Sequence, residues 1–101
     1  MIPLLNQPQF EDLLKANDTK AVVYFTAPWC GACTKLDLDL LEKANSNIMW
    51  YKCNIDENKY TLGYCGLTKI PSFVFIKGGK VLGKFTSSDT AMVLDMVNES
   101  F

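Results

Sequence analysis

Two rhythms of hydrophobic positions run along the chain. Residues 20–26, KAVVYFT, are β-branched and aromatic with almost no polar interruption, which predicts a central strand covered on both faces. Ahead of it, Asn6 can cap a helix with Pro8 and Gln9 in its first turn and Phe10, Leu13 and Leu14 on one face, and residues 1–5 can add a short edge strand. In residues 31–45, Leu36, Leu40 and Leu41 fall at helical spacing beside Cys33, with Asp37 and Asp39 turned elsewhere, which predicts one continuous helix. Residues 48–54, IMWYKCN, read as a second strand, and residues 56–64 as a short helix ended in the Gly63 to Gly66 region.

Strands over residues 70–77 and 80–86 flank Gly78-Gly79, the signal of a tight antiparallel hairpin. Ser88 or Asp89 can then cap a closing helix whose apolar stripe is Met92, Val93, Met96 and Val97. The order β-α-β-α-β-α-β-β-α predicts an α/β fold. Strands joined through helices are expected to be parallel neighbours, and the last hairpin to add an antiparallel edge, giving a central mixed sheet with helices on both faces. With no repeat, linker or low-complexity segment, residues 1–101 are expected to form a single domain.

Composition narrows the chemistry. At 49% hydrophobic residues the chain can bury a core without extra cross-links. Ten lysines against eleven acids leave a net charge of −1 with no basic block, so neither nucleic acid nor a membrane surface is an expected partner. There is no His and no Arg, which removes the imidazole needed for Cys–His catalysis and the guanidinium fork that grips phosphate. No apolar run is long enough to span a bilayer, and residues 1–5 lack a cationic leader, so a soluble, cytoplasmic protein is expected.

That leaves the cysteines, and in particular TAPWCGACTK, residues 26–35. A CxxC pair can be a metal clip, a structural disulfide or a redox centre. Cys30 follows the central strand and precedes a helix, where unpaired backbone N–H groups and the helix dipole stabilise a thiolate and lower a thiol pKa to about 3.5–7.5. Cys33, one turn further and more buried, is close enough to close a disulfide. In a βαβ pattern this context points to redox chemistry. Cys53 and Cys65 have the wrong spacing to complete a zinc site, so no metal is expected; Cys53 reads as a buried small residue and Cys65 as partly exposed.

YFTAPWCGACTKL, followed by KCNID, IPSFVFIKGGKVLGKF and a closing amphipathic helix, resembles the thioredoxin family over essentially the whole chain. Trp29, Cys30, Gly31 and Cys33 match the family's active-site motif, Lys52, Asn54, Ile55 and Asp56 its third-strand segment, and Ile70-Pro71 its cis-proline loop. The resemblance implies a thioredoxin fold and a thiol–disulfide oxidoreductase that reduces protein disulfides, with Cys30 attacking and Cys33 resolving. Its only cofactor would be that disulfide, its electron donor a thioredoxin-reductase-type enzyme, and its state a monomer. Pro71 would lie beside the disulfide with the Ile70 backbone turned toward substrate, and Trp29 would form an apolar shoulder for it.

Several positions depart from the family pattern. Ala32 stands where a proline is usual between the cysteines, and Tyr24 where a buried acid takes the proton of the resolving cysteine. Lys52 therefore lacks its acidic partner and is either a charge that lowers a thiol pKa or a solvent-facing lysine. Ser87 replaces a glycine on the substrate surface. An alternative function stays open on these residues: a thioredoxin-like binding module, such as a processivity or stability factor, docking a partner around Trp29 and Pro71.

Overall fold

A computed structural model describes residues 1–101. The chain runs β1 (Ile2–Pro3), α1 (Gln7–Lys15), β2 (Lys20–Thr26), a 3-10 turn (Ala32–Lys35), α2 (Leu38–Ala44), β3 (Met49–Asn54), α3 (Lys59–Tyr64), β4 (Ser72–Lys77), β5 (Lys80–Thr86) and α4 (Thr90–Ser100). The strands form one sheet in the order β1-β3-β2-β4-β5. β2 lies in the middle because its apolar run has no polar face to leave in water: Ala21 to Thr26 are all buried. Removing each such Val or Phe side chain from water is worth about 1.5–3 kcal/mol. The helices cover both faces, α1 against α3 and α2 against α4. Phe10 of α1 meets Tyr64 of α3 edge-on, and Phe101 after α4 meets Phe75 on the other face.

Two helix caps stand where the sequence puts them, at Asn6 and Asp89, and Asn58 adds one it did not announce. Asn6 accepts the Gln9 N–H at the start of α1, Asp89 the Met92 N–H at the start of α4, and Asn58 the Thr61 N–H at the start of α3. The last of these trims the expected helix over residues 56–64 to its final six residues. In α4, Val93 and Val97 are buried while Met92 is exposed, so the apolar stripe is narrower than the spacing predicts.

The expected rule for strand direction holds for β1, β2 and β3, which are mutually parallel, but fails at β4, which runs antiparallel to β2. The chain stays at the end of the sheet where β3 finished: the Glu57 and Asn58 N–H groups both donate to the Asn54 carbonyl, α3 adds a rise of only about 9 Å, and β4 enters from that same end with Ser72 opposite Phe25. The hairpin then turns on Gly78 and Gly79, both at positive φ (60° and 76°), and a Cβ on Gly79 would stand 2.6 Å from the Leu14 carbonyl oxygen.

The helix expected over residues 31–45 is broken in two. Leu36 is extended (φ −80°, ψ 137°) between the 3-10 turn and α2. Asp37 is the cause: its carboxylate accepts the Leu40 N–H at 3.1 Å, starting a new helix, while its own N–H donates to Thr90 Oγ1 of α4 at 3.0 Å. The break re-aims the segment, so Leu41 is buried but Leu40 is exposed.

Candidate active site

β2 delivers the chain to a tight turn in which the Cys30 N–H donates to the Ala27 carbonyl at 3.1 Å. Cys30 and Cys33 are joined by a disulfide with their Cα atoms 5.4 Å apart. The Cys33 N–H donates to Cys30 Sγ at 3.2 Å. The Thr34 hydroxyl and N–H both donate to the Gly31 carbonyl, at 2.6 and 3.2 Å, and hold the turn closed. Because the helix stops at Lys35, the dipole of a long helix is not aimed at Cys30. What steadies charge on that sulfur is a single adjacent backbone donor.

Both half-cystines are nearly buried, 7% and 8% exposed, but their surroundings are not. Gly31 and Ala32 lie on the surface, and a Cβ at Gly31 would meet nothing within 4 Å, so the turn is open to solvent there. Trp29 is 66% exposed and its indole N–H donates to Asp56 Oδ1 at 3.0 Å. The resemblance placed Trp29 as a shoulder and left Asp56 without a role; the sequence signal for their pairing is only that a carboxylate ends the third-strand motif.

The β2–β4 register, with Ser72 opposite Phe25, puts Pro71 and Ile70 level with Thr26 and Ala27, at the foot of the disulfide turn. The Ile70–Pro71 peptide bond is cis. Neither the N–H nor the carbonyl of Ile70 has a hydrogen-bond partner within the chain. Ser87 is half-buried beside this loop: its N–H donates to the Pro71 carbonyl at 3.3 Å and its hydroxyl accepts the Asp89 N–H at 3.1 Å. The side chain that replaces the family's glycine is therefore occupied at the start of α4.

Tyr24 is buried and stacked on Phe73, ring centroids 5.1 Å apart. Burial pushes its pKa above the ordinary tyrosine value, and a hydrogen bond from the Thr26 side chain offsets part of that rise. Lys52, opposite Tyr24 on β3, is exposed and lines an open cleft of about 140 Å³ with Thr26, Ala27, Pro28 and Asn54. Of the two readings of Lys52, the solvent-facing one describes its position. Cys53 is fully buried, its Sγ donating to the Asn58 carbonyl, and Cys65 is half-buried. Burial raises both thiols, Cys53 to about 12 and Cys65 to about 11.

A sequence-family model described as Thioredoxin matches residues 1–99. The chain belongs to the thioredoxin family. It is 35% identical over 88 residues to mitochondrial thioredoxin-3 of Saccharomyces cerevisiae, covering 85% of this chain and 68% of that protein. It is 33% identical over 101 residues to an M-type chloroplastic thioredoxin of Brassica napus, covering 93% of this chain and 57% of that protein. The chain thus spans little more than half to two thirds of the length of these curated relatives. Among solved structures, oxidised mitochondrial thioredoxin 3 of S. cerevisiae superposes with a TM-score of 0.89 at 31% identity, over 98% of this chain and 94% of that one. The thioredoxin of Fasciola hepatica superposes with a TM-score of 0.90 at 27% identity over 100% of both chains. Thioredoxins are protein-disulfide oxidoreductases, and in this family member Cys30 and Cys33 form a disulfide-bonded CxxC pair.

Proposed function

We propose that the protein, a single thioredoxin domain working as a monomer, reduces disulfides of partner proteins through Cys30 and Cys33. The observation that carries this is the Cys30–Cys33 disulfide with the Cys33 N–H bonded to Cys30 Sγ at the end of the central strand. In the reduced state that donor favours thiolate at Cys30. The Cys30 thiolate attacks one sulfur of a substrate disulfide, forming a mixed disulfide and expelling the other sulfur as thiolate. The Cys33 thiol then loses its proton and attacks Cys30 Sγ, releasing the second substrate thiolate and leaving the Cys30–Cys33 disulfide. Two electrons pass to the substrate, and a dithiol donor of the thioredoxin-reductase type returns them.

Substrate approaches over Gly31 and Ala32, packs against Trp29, held by Asp56, and pairs with the free backbone of Ile70 beside Pro71; Ser87 borders that loop. Tyr24, kept neutral by burial, supplies a hydrogen-bonding hydroxyl and does not replace the missing acid as a base. The Cys33 proton therefore leaves to water or to the departing thiolate, with exposed Gly31 and Ala32 beside the pair giving solvent access. The unpaired thiols Cys53 and Cys65 fit a reducing compartment such as the cytoplasm. Turnover of a disulfide-bonded protein by wild type beside Cys30→Ser tests the assignment: loss in the variant supports it, and equal rates sink it.

A further inference from the structure

Ser72 is fully buried, at 0% exposure, yet carries a hydroxyl, and that hydroxyl donates to the Lys69 carbonyl. A hydroxyl has one hydrogen, so the 2.7 Å contact between Ser72 Oγ and Thr86 Oγ1 is donated by Thr86. The result is a chain of hydroxyls from β5 through β4 into the turn that carries Ile70 and Pro71. One residue beyond Thr86, the Ser87 N–H donates to the Pro71 carbonyl at 3.3 Å. The turn is therefore tied on both sides of Ile70, at Lys69 and at Pro71, while the N–H and carbonyl of Ile70 stay unpartnered.

A small apolar residue at position 72 would fill the strand without a hydroxyl to desolvate, so strand formation alone does not call for serine. Its hydroxyl acts on position. We propose that Ser72 and Thr86 are positioning residues for the bound substrate strand, fixing where the Ile70 backbone stands relative to the Cys30–Cys33 turn. This rests on the reading that substrate pairs with Ile70. It predicts a division between substrates: a protein disulfide that lays an extended strand on Ile70 depends on the hydroxyl chain, and a small disulfide that reaches Cys30 alone does not.

The test is single-turnover reduction by the pre-reduced protein of insulin and, separately, of glutathione disulfide. Ser72→Ala is expected to raise the half-saturating insulin concentration about three- to tenfold, as loss of one ordering hydrogen bond implies, with the limiting rate held within about twofold. The rate with glutathione disulfide should not change, and Ser72→Thr, which keeps the hydroxyl, should restore insulin binding. Thr86→Val, at an exposed strand position, loses the donor to Ser72 and should move half-saturation the same way by less, which keeps the question answerable if Ser72→Ala folds poorly. Unchanged half-saturation in both variants, or equal losses on both substrates, overturns the positioning role. A wild type that does not reduce insulin overturns the functional reading itself and this role with it; an active wild type with indifferent variants overturns this role alone.

Discussion

Two cysteines on neighbouring parts of this small fold, Cys30 and Cys53, sit in opposite environments. Cys30 lies past the end of β2, with a backbone N–H at 3.2 Å and exposed Gly31 and Ala32 beside it. Cys53 lies inside β3, one strand away, with Asn58's carbonyl oxygen facing its sulfur and no solvent contact. A neighbouring donor favours the thiolate at Cys30, whereas burial, with the negative charge of Cys65 and Glu57 nearby, favours the thiol at Cys53 and pushes it to about 12. The same side chain is a nucleophile in one place and a small hydrophobe in the other, and the difference is set by burial and by the groups that face the sulfur.

Deleting the nucleophile gives the largest effect. Cys30→Ser should cut turnover of a protein disulfide by at least about a thousandfold, while Cys53→Ala and Cys65→Ala stay within about twofold of wild type. A Cys53→Ala protein without turnover would break the comparison. Next in size is labelling. At pH 8, thiols titrating at about 12 and about 11 hold roughly one thiolate in ten thousand and in a thousand. Iodoacetamide mapping of the reduced native protein should therefore mark Cys30 first, and labelling at Cys65 should speed up about tenfold per pH unit from 8 to 10.

Stability carries the same signature. The folded thiols titrate above their ordinary value of 9.0, so the stability they contribute is fully present below pH 9 and is lost as pH rises toward 11 for Cys65 and 12 for Cys53. Urea unfolding of Cys53→Ala between about pH 9.5 and 11 should show a slope shallower by about 1.4 kcal/mol per pH unit, the value for one proton. The smallest expected change is at the redox turn: Ala32 opens the 3-10 segment, where an N–H is unpaired in any case, so Ala32→Pro should stabilise by about 0.5–1 kcal/mol in the same assay.

The strands and caps were legible because their signals are local. KAVVYFT allows little but a buried strand, and Asn6, Asp89 and Gly78-Gly79 act within a few residues of themselves. The CxxC pair was legible for the same reason. Asp37 was not, because its cap competes with a helical pattern that runs through it, and the Thr90 hydroxyl that takes its N–H is 53 residues away. The reversal at β4 depends on where α3 and the segment after it leave the chain, which no spacing along the sequence marks. Lys52, Asp56 and Ser72 acquire meaning through partners or exposure that the sheet register creates, and no spacing along the chain announces them.

The bond from Asp37 to Thr90 also has a bearing on biosynthesis. Synthesis runs from the N-terminus, so Cys30 and Cys33 leave the ribosome well before Thr90 exists to receive the Asp37 N–H that braces the segment behind them. During that interval the segment behind the two thiols lacks that brace, and the turn is held by its own short-range hydrogen bonds. Docking of the last helix completes that support, so the end of the chain finishes a site whose cysteines were made long before it.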